Sequence, residues 1–255
     1  MKIGSTLIIG AGGIGSHLAE PLARLLKFHA NGKMDMTIVD GDVYEEGNLG
    51  RQMFSMGMIG HNKALVLSDR VASGIPLDET DERVVEVRDY INTDVDAAGL
   101  MLRTMPETDD ELHLDQEKAL LLCLCVDNDA TRRLFYDGVA LLPEDHSPVV
   151  IIDMGNELET ASAVASIWVG RKSLLASPVE CYENLRNPKD RIPGGGCMAL
   201  APSTPQLMVA NMAAALAGLL IVQALLDGAQ WTDVVQANIR KFSMGVAGGD
   251  YGIRS

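Results

Sequence analysis

The strand Thr6-Leu7-Ile8-Ile9 runs directly into Gly10-Ala11-Gly12-Gly13-Ile14-Gly15, and an apolar helical pattern follows at 18–28. A strand, a G-x-G-x-x-G loop and a helix in immediate succession leave few folds open to a chain. Gly10 permits the tight turn, Gly12 lets backbone approach an anion, and Gly15 allows the helix to lie close on the strand. Gly13 leaves still more room for backbone contact. The helix start then offers unpaired N–H groups and a positive dipole end to a phosphate.

Beyond the loop, strand and helix patterns alternate. Strands are expected at 5–9, 36–40, 84–87, 119–126, 149–153 and 161–169, and helices at 62–73, 94–104 and 128–142. This alternation predicts an α/β, Rossmann-like fold: a mostly parallel twisted sheet with helices on both faces. Residues 43–60 are polar and Gly-rich, and read as loop or short helix. The acidic stretch 106–118 reads as a solvated connection. Residues 171–197 carry Pro178, Pro188, Pro193 and glycines 194–196 without periodicity, and are expected to form a flexible crossover loop. A long helix follows at 204–227. Residues 234–243 read as a last edge strand before a Gly-rich tail. No internal repeat is visible, so residues 1–255 are expected to form a single domain.

Composition narrows the partners. The 255 residues carry a formal charge of −14, which repels phosphate backbones and argues against nucleic acid. A nucleotide would need a local basic cluster. Cys123, Cys125, Cys181 and Cys197 form no C-x-x-C pair, so no zinc site is expected. Cys123 and Cys125 sit on one face of an apolar strand and read as core. The first strand begins within six residues of Met1, so no leader is expected and the cytoplasm is implied. Residues 207–226 are as long as a bilayer crossing, yet Asn211 and Gln223 interrupt them. A buried or interface helix is expected there, with no membrane association.

The polar residues after the glycine loop carry the chemistry. Asp40 ends the second strand 25 residues after Gly15, where a carboxylate can take ribose hydroxyls; as an ordinary strand-end residue it would cap a turn. Asp42, Asn48, Arg51, Gln52 and Lys63 follow. An adenylating enzyme must expel pyrophosphate when a carboxylate attacks the α-phosphorus of ATP. Arg grips phosphate oxygens bidentately and Lys supplies a mobile point charge, so both can stabilise that charge build-up. Asp127-Asn128-Asp129 lie beyond the fourth strand, at the carboxyl end of the expected sheet. Asp127 is placed to hold Mg²⁺, and the competing role of this triplet is to cap the helix behind it.

Taken together, the glycine loop, Asp40-x-Asp42, Asn48-Leu49-x-Arg51-Gln52, Gly60-x-x-Lys63 and Asp127-Asn128-x-x-x-Arg132 resemble the ThiF/MoeB family of ubiquitin-activating-like adenylyltransferases, over about residues 3–227. The run from Asn48 to Ser55 is similar to ThiF proteins of the PRTRC system. The resemblance implies that Asp40 binds the ATP ribose, that Asn48, Arg51 and Lys63 contact the triphosphate, and that Asp127 binds Mg²⁺. It implies a substrate that is the C-terminal carboxylate of a small ubiquitin-like or sulfur-carrier protein, or of a peptide, and a homodimer. Gly10, Gly12, Gly13, Gly15, Asp42, Gln52 and Asn128 complete the expected cofactor-binding set. Cys181 and Cys197 are candidate sulfur acceptors. Two departures from the family pattern are expected: no paired C-x-x-C zinc ligands, and no N-terminal arginine, Lys2 being the only cation in residues 1–4. Two other readings fit parts of the pattern. One is a module that binds nucleotide or a ubiquitin-like partner without turnover, and the other an NAD(P)-dependent oxidoreductase built on the same loop.

Overall fold

The computed structural model describes residues 1–76, 82–106, 118–175, 177–193, 207–229, 234–241 and 243–246. Strands β1 (Lys2–Ile9), β2 (Asp35–Val39), β3 (Arg83–Val87), β4 (Lys118–Leu124) and β5 (Val149–Asn156) form a parallel sheet in the order β3-β2-β1-β4-β5. The order reverses between β1 and β4. That reversal opens a crevice beyond their carboxyl ends, where ligands of open α/β sheets bind.

Alternate residues of the central strands face opposite layers. Ile8, Cys123 and Ile152 face helices α1 (Gly13–Phe28), α2 (Lys63–Gly74) and α7 (Met208–Asp227). Leu7, Ile9, Leu122 and Ile151 face α3 (Asp94–Thr104) and α4 (Asp129–Ala140). Both faces are covered, so the strands read as near-continuous apolar runs, as buried parallel strands do. Each fully buried Leu or Ile contributes about 1.5–3 kcal/mol relative to exposure.

The expected Rossmann-like α/β architecture is therefore present. The sheet continues beyond β5 as an antiparallel extension: β6 (Thr160–Val169), β8 (Val234–Asn238) and β9 (Ser243–Val246), with β7 (Lys172–Ser173) paired to β6. Two expectations are revised here. The strand starting at Val234 ends at Asn238 and is internal, paired with β6 on one side and β9 on the other. The Asn238 side chain accepts from the Lys241 N–H at 2.9 Å, turning the chain back into β9. The stretch 171–197 also holds local structure: β7, α5 (Pro178–Cys181) and α6 (Glu183–Arg186) lie within its described part. Pro178 sits at the first position of α5, where its missing N–H costs nothing. Cys197, residues 107–117 of the acidic connection, and the Gly-rich tail from 247 lie outside the described residues.

Helix α7 is long and apolar enough to span a membrane by length and composition, but Ala214, Ala217, Ile221, Val222 and Leu225 pack it into the core. This is the buried or interface helix expected from its polar interruptions.

Candidate functional site

Gly10 leaves β1 with φ +94°, a conformation that disfavours any side chain, and a Cβ there would meet the Cys125 carbonyl at 2.9 Å. At Gly15 a Cβ would fall 2.0 Å from the Gly10 carbonyl oxygen, so only glycine lets α1 lie this close to the strand end. Gly12 differs: a Cβ there would meet only the end of the Gln52 side chain, Nε2 at 3.7 Å, an ordinary contact, so no backbone crowds it on the cavity side. Helices α2, α3 and α4 are capped by the side chains of Asn62, Thr93 and Asn128. Helix α1 has no side-chain cap and no acidic residue in its first turn. Its first N–H groups are thus left to an anion.

Asp40 follows β2 and steadies this loop. Its Oδ2 accepts from the Ala11 N–H at 2.7 Å and its Oδ1 from the Asp42 N–H at 2.8 Å. Each oxygen keeps acceptor capacity for a hydroxyl. Burial raises the Asp40 carboxyl above its ordinary range, against the opposing pull of Lys63. Asp42 is more exposed. Burial pushes it up, but the Tyr90 hydroxyl and Lys63 outweigh burial, and the carboxyl lies below its ordinary value.

Lys63 is 7% exposed and opens α2, with Nζ 3.0 Å from Asp42 Oδ2. Asn62 sets this geometry. Its Oδ1 caps α2 through the Leu65 N–H at 3.0 Å, and its Nδ2 donates to the carbonyls of Asp40 at 2.9 Å and Asp42 at 3.1 Å. Asn48 is buried in a 3-10 turn (Glu46–Asn48), where its Oδ1 accepts from the Glu45 N–H at 3.1 Å. Gln52 is buried beside it, and its Oε1 has no hydrogen-bond partner among the described residues.

The opposite wall comes from β4 and β5. Asp127 is exposed, just beyond Val126. Asn128 caps α4, accepting from the Thr131 N–H at 2.7 Å, so the capping role weighed for this triplet falls to Asn128 and leaves Asp127 facing the cavity. Arg132 ties the two strand ends together: its Nη2 donates to the carbonyls of Val126 and Met154, both at 3.0 Å, and its Nε lies 3.4 Å from Asp153 Oδ1. Burial raises the Asp153 carboxyl despite Arg132, and Tyr136 also donates to it at 3.3 Å.

One cavity of about 1500 Å³ joins these parts. At one end lie Gly10, Gly12, Gly13, Asp40, Asp42, Asn48, Arg51, Gln52 and Lys63. Asp127, Asn128, Arg132 and Asp153 line its middle, and Ser162, Gln236, Asn238 and β9 its far end. Gly15 does not line it; it packs helix on strand. Cys181 is exposed on α5, between the lining residues Pro178 and Tyr182. Cys123 and Cys125 are buried with thiols pushed up by burial, Cys123 to about 12, as expected of core residues.

Sequence reasoning missed Asp153, Tyr90 and Asp190. Asp153 carried a signal, since it follows the apolar run 149–152 in sequence; the strand itself continues to Asn156. Tyr90 and Asp190 carried none, because their partners lie 48 and 61 residues away in sequence.

The residues present fit ATP: a glycine backbone cradle, a helix start without a side-chain cap, two cations, and a buried Gln52 acceptor without a partner among the described residues. They fit Mg²⁺ only as a phosphate-carried ion. Among the described residues no group of three His, Cys, Asp or Glu side chains is placed to hold a metal. Mg²⁺ needs one or two carboxylates when phosphates supply the rest, and Asp127 can be one.

The model of the ThiF family matches residues 2–225. The chain belongs to the ThiF family. Its glycine loop, Arg51, Lys63 and Asp127 all fall inside that match. The ATP-dependent ubiquitin transferase-like protein Cap2 of Enterobacter hormaechei subsp. hoffmannii (strain UCI 50) is 40% identical over 70 residues, 28% of this chain and 11% of Cap2. A crystal structure of PaaA superposes with a TM-score of 0.61 at 14% identity, covering 94% of this chain and 62% of PaaA. E. coli MccB with ATP gives 0.59 at 20% identity, covering 95% of this chain and 63% of MccB. MccB with AMPCPP and MccA gives 0.60 at 18%, covering 96% and 63%. At these identities the solved structures establish the shared fold. This ThiF-family chain spans less than two thirds of each of these relatives.

Proposed function

We propose that the chain is an ATP- and Mg²⁺-dependent adenylyltransferase that activates the C-terminal carboxylate of a small ubiquitin-like or sulfur-carrier protein, or of a peptide. One observation carries the reading. A single cavity joins the open glycine loop, Arg51 and Lys63 to Asp127, and then continues along β5, β6, β8 and β9 with room for a polypeptide end. Its volume exceeds the roughly 300–1,000 Å³ common for small-molecule sites. Family membership supports the same reading, as do MccB structures with ATP and with MccA.

In this reading the loop and the α1 start cradle phosphates, and Asp40 accepts from the ribose hydroxyls. Asn48 and Gln52 line the nucleotide end, and Asn128 the wall opposite. A substrate carboxylate oxygen attacks the α-phosphorus. The new O–P bond forms as the bond to the β-phosphate oxygen breaks, and pyrophosphate leaves with the electron pair. No proton is transferred, so the demand on the protein is electrostatic, and Arg51 and Lys63 meet it. Asp127 holds Mg²⁺, which neutralises phosphate charge when bound. Cys181, beside the cavity wall, is the described candidate for a later sulfur-transfer step.

The same reading includes a homodimer through α7. Val209, Met212, Leu216 and Leu220 form an exposed apolar stripe along it. In a chain of charge −14, this uncharged face is where two copies can meet without repulsion. Leu216→Glu should give a monomer by light scattering.

The deciding experiment is ATP–pyrophosphate exchange with candidate carrier proteins or peptides and Mg²⁺. Exchange that depends on the carrier's free C-terminal carboxylate is expected, and is lost in Arg51→Ala. Carrier binding and ATP binding with no exchange under any condition would replace the reading with that of a binding module.

A further inference from the structure

Asn211 interrupts the apolar run of α7 and is fully buried. An apolar residue would serve that helix and that core better, because a buried amide must be desolvated and Asn is a poor helix former. The cost is only partly offset, since Asn211 Oδ1 has no hydrogen-bond partner among the described residues. Its Nδ2, however, donates to the Arg51 carbonyl at 3.2 Å. The same amide lies over Gly13: a Cβ there would fall 2.6 Å from both Nδ2 and Oδ1. One side chain of α7 thus touches the first residue of α1 and the backbone of Arg51, two elements that both face the cavity.

Other ties join the same two elements. The Met53 N–H donates to Ser16 Oγ at 3.1 Å, and Arg70 donates to the carbonyls of Met53 and Ser16. They fix the segment after Arg51 to Ser16, at the end of the first turn of α1. The His17 side chain of α1 also hydrogen-bonds the Arg51 backbone, so Asn211 from α7 and His17 from α1 grip Arg51 from two sides.

We infer that Asn211 is a positioning residue of the nucleotide end: it fixes the Arg51 backbone against the start of α1, and so sets where the guanidinium stands relative to the phosphate cradle. The inference rests on the reading of this cavity as an ATP site. Small displacements of a charged group cost heavily in such sites, so a buried amide that weakens the helix gains a function there.

The test compares wild type with Asn211→Leu, near-isosteric and apolar, and Asn211→Asp, which keeps the shape but loses the donor. Melting temperature, ATP affinity by calorimetry, and hydrogen exchange of peptides covering 10–16 and 49–54 without nucleotide are measured on the whole chain. Asn211→Leu should melt at or above wild type, bind ATP about 10-fold or more weakly, and exchange faster across 49–54. Asn211→Asp should exchange faster there too. Wild-type exchange and wild-type ATP affinity in a folded Asn211→Leu would reduce Asn211 to a packing residue and overturn the inference. If wild type itself binds no ATP while Asn211→Leu loosens 49–54, the ATP reading falls and the positioning of Arg51 stands. Should Asn211→Leu not fold, the smaller Asn211→Ser carries the same comparison.

Discussion

The ammonium of Lys63 lies 3.0 Å from Asp42 Oδ2, at the mouth of α2 and within the cavity that holds the glycine loop. Lys63 is almost fully buried, so its charge is held in a fixed place and not on a wandering surface chain. Lys63→Ala should lower ATP–pyrophosphate exchange by about 100-fold or more while leaving the fold intact, the usual effect of losing one preorganised charge donor. Lys63→Arg should not restore it, because the larger planar guanidinium does not fit a site shaped around a point charge. Exchange rates within about two-fold of wild type in Lys63→Ala, read against unchanged circular dichroism, would remove Lys63 from the chemistry.

The Tyr90 hydroxyl donates to Asp42 and helps hold its carboxyl below the ordinary range. Tyr90→Phe should therefore raise the Asp42 titration point. With a depressed folded value, Asp42 contributes stability that is present above the unfolded value and is lost as pH falls through the folded one. The variant should lose that contribution at higher pH than wild type. Carboxyl chemical shifts followed through an acid titration check both statements.

Asp153 gives the opposite sign. Burial raises its carboxyl, so the folded chain keeps the proton to higher pH than the unfolded chain does. Its effect on stability is most favourable below the unfolded value of about 3.9 and is lost as pH rises through the folded one. The melting temperature of wild type relative to Asp153→Asn should therefore fall as pH is raised from about 4 toward neutrality. A difference that stays constant over that range would contradict the assigned shift.

Asp190 bridges the crossover stretch to α4: its two carboxylate oxygens accept from the backbone N–H groups of Asp129 at 2.6 Å and Ala130 at 2.9 Å. Asn184 donates to Asp129 at 2.9 Å alongside it. Asp190→Ala should cost about 1 kcal/mol, as loss of a helix cap does, and should expose residues 177–193 to proteolysis. Chemical denaturation and limited proteolysis report the two effects separately.

Thiol labelling of the native chain should modify Cys181 and spare Cys123 and Cys125 until the chain unfolds. Burial keeps both core thiols protonated and out of reach. Peptide mapping of the labelled sites checks this.

How much of this was legible follows from how local each signal is. The glycine loop, the strand ends at Asp40 and Asp127, and the helix patterns are set by neighbours in sequence: alternation, apolar period and turn chemistry act within a few residues. The sequence by itself therefore determined the parallel Rossmann-like core and the polar residues that line one end of the cavity. The antiparallel extension was legible only as isolated strands, because which strand pairs with β6 is a long-range choice made by packing of Ala161, Ala163 and Ala237 against α7. Tertiary structure alone decided that Asn211, a mere polar interruption in sequence, sits on Gly13 and Arg51 across 160 residues of chain. It alone decided that Arg132 pairs with Asp153 and that Asp190 holds the start of α4. Such contacts join residues whose sequence separation carries no period. They exist because a twisted sheet brings the carboxyl ends of its strands, and the loops that follow them, to one edge of the fold.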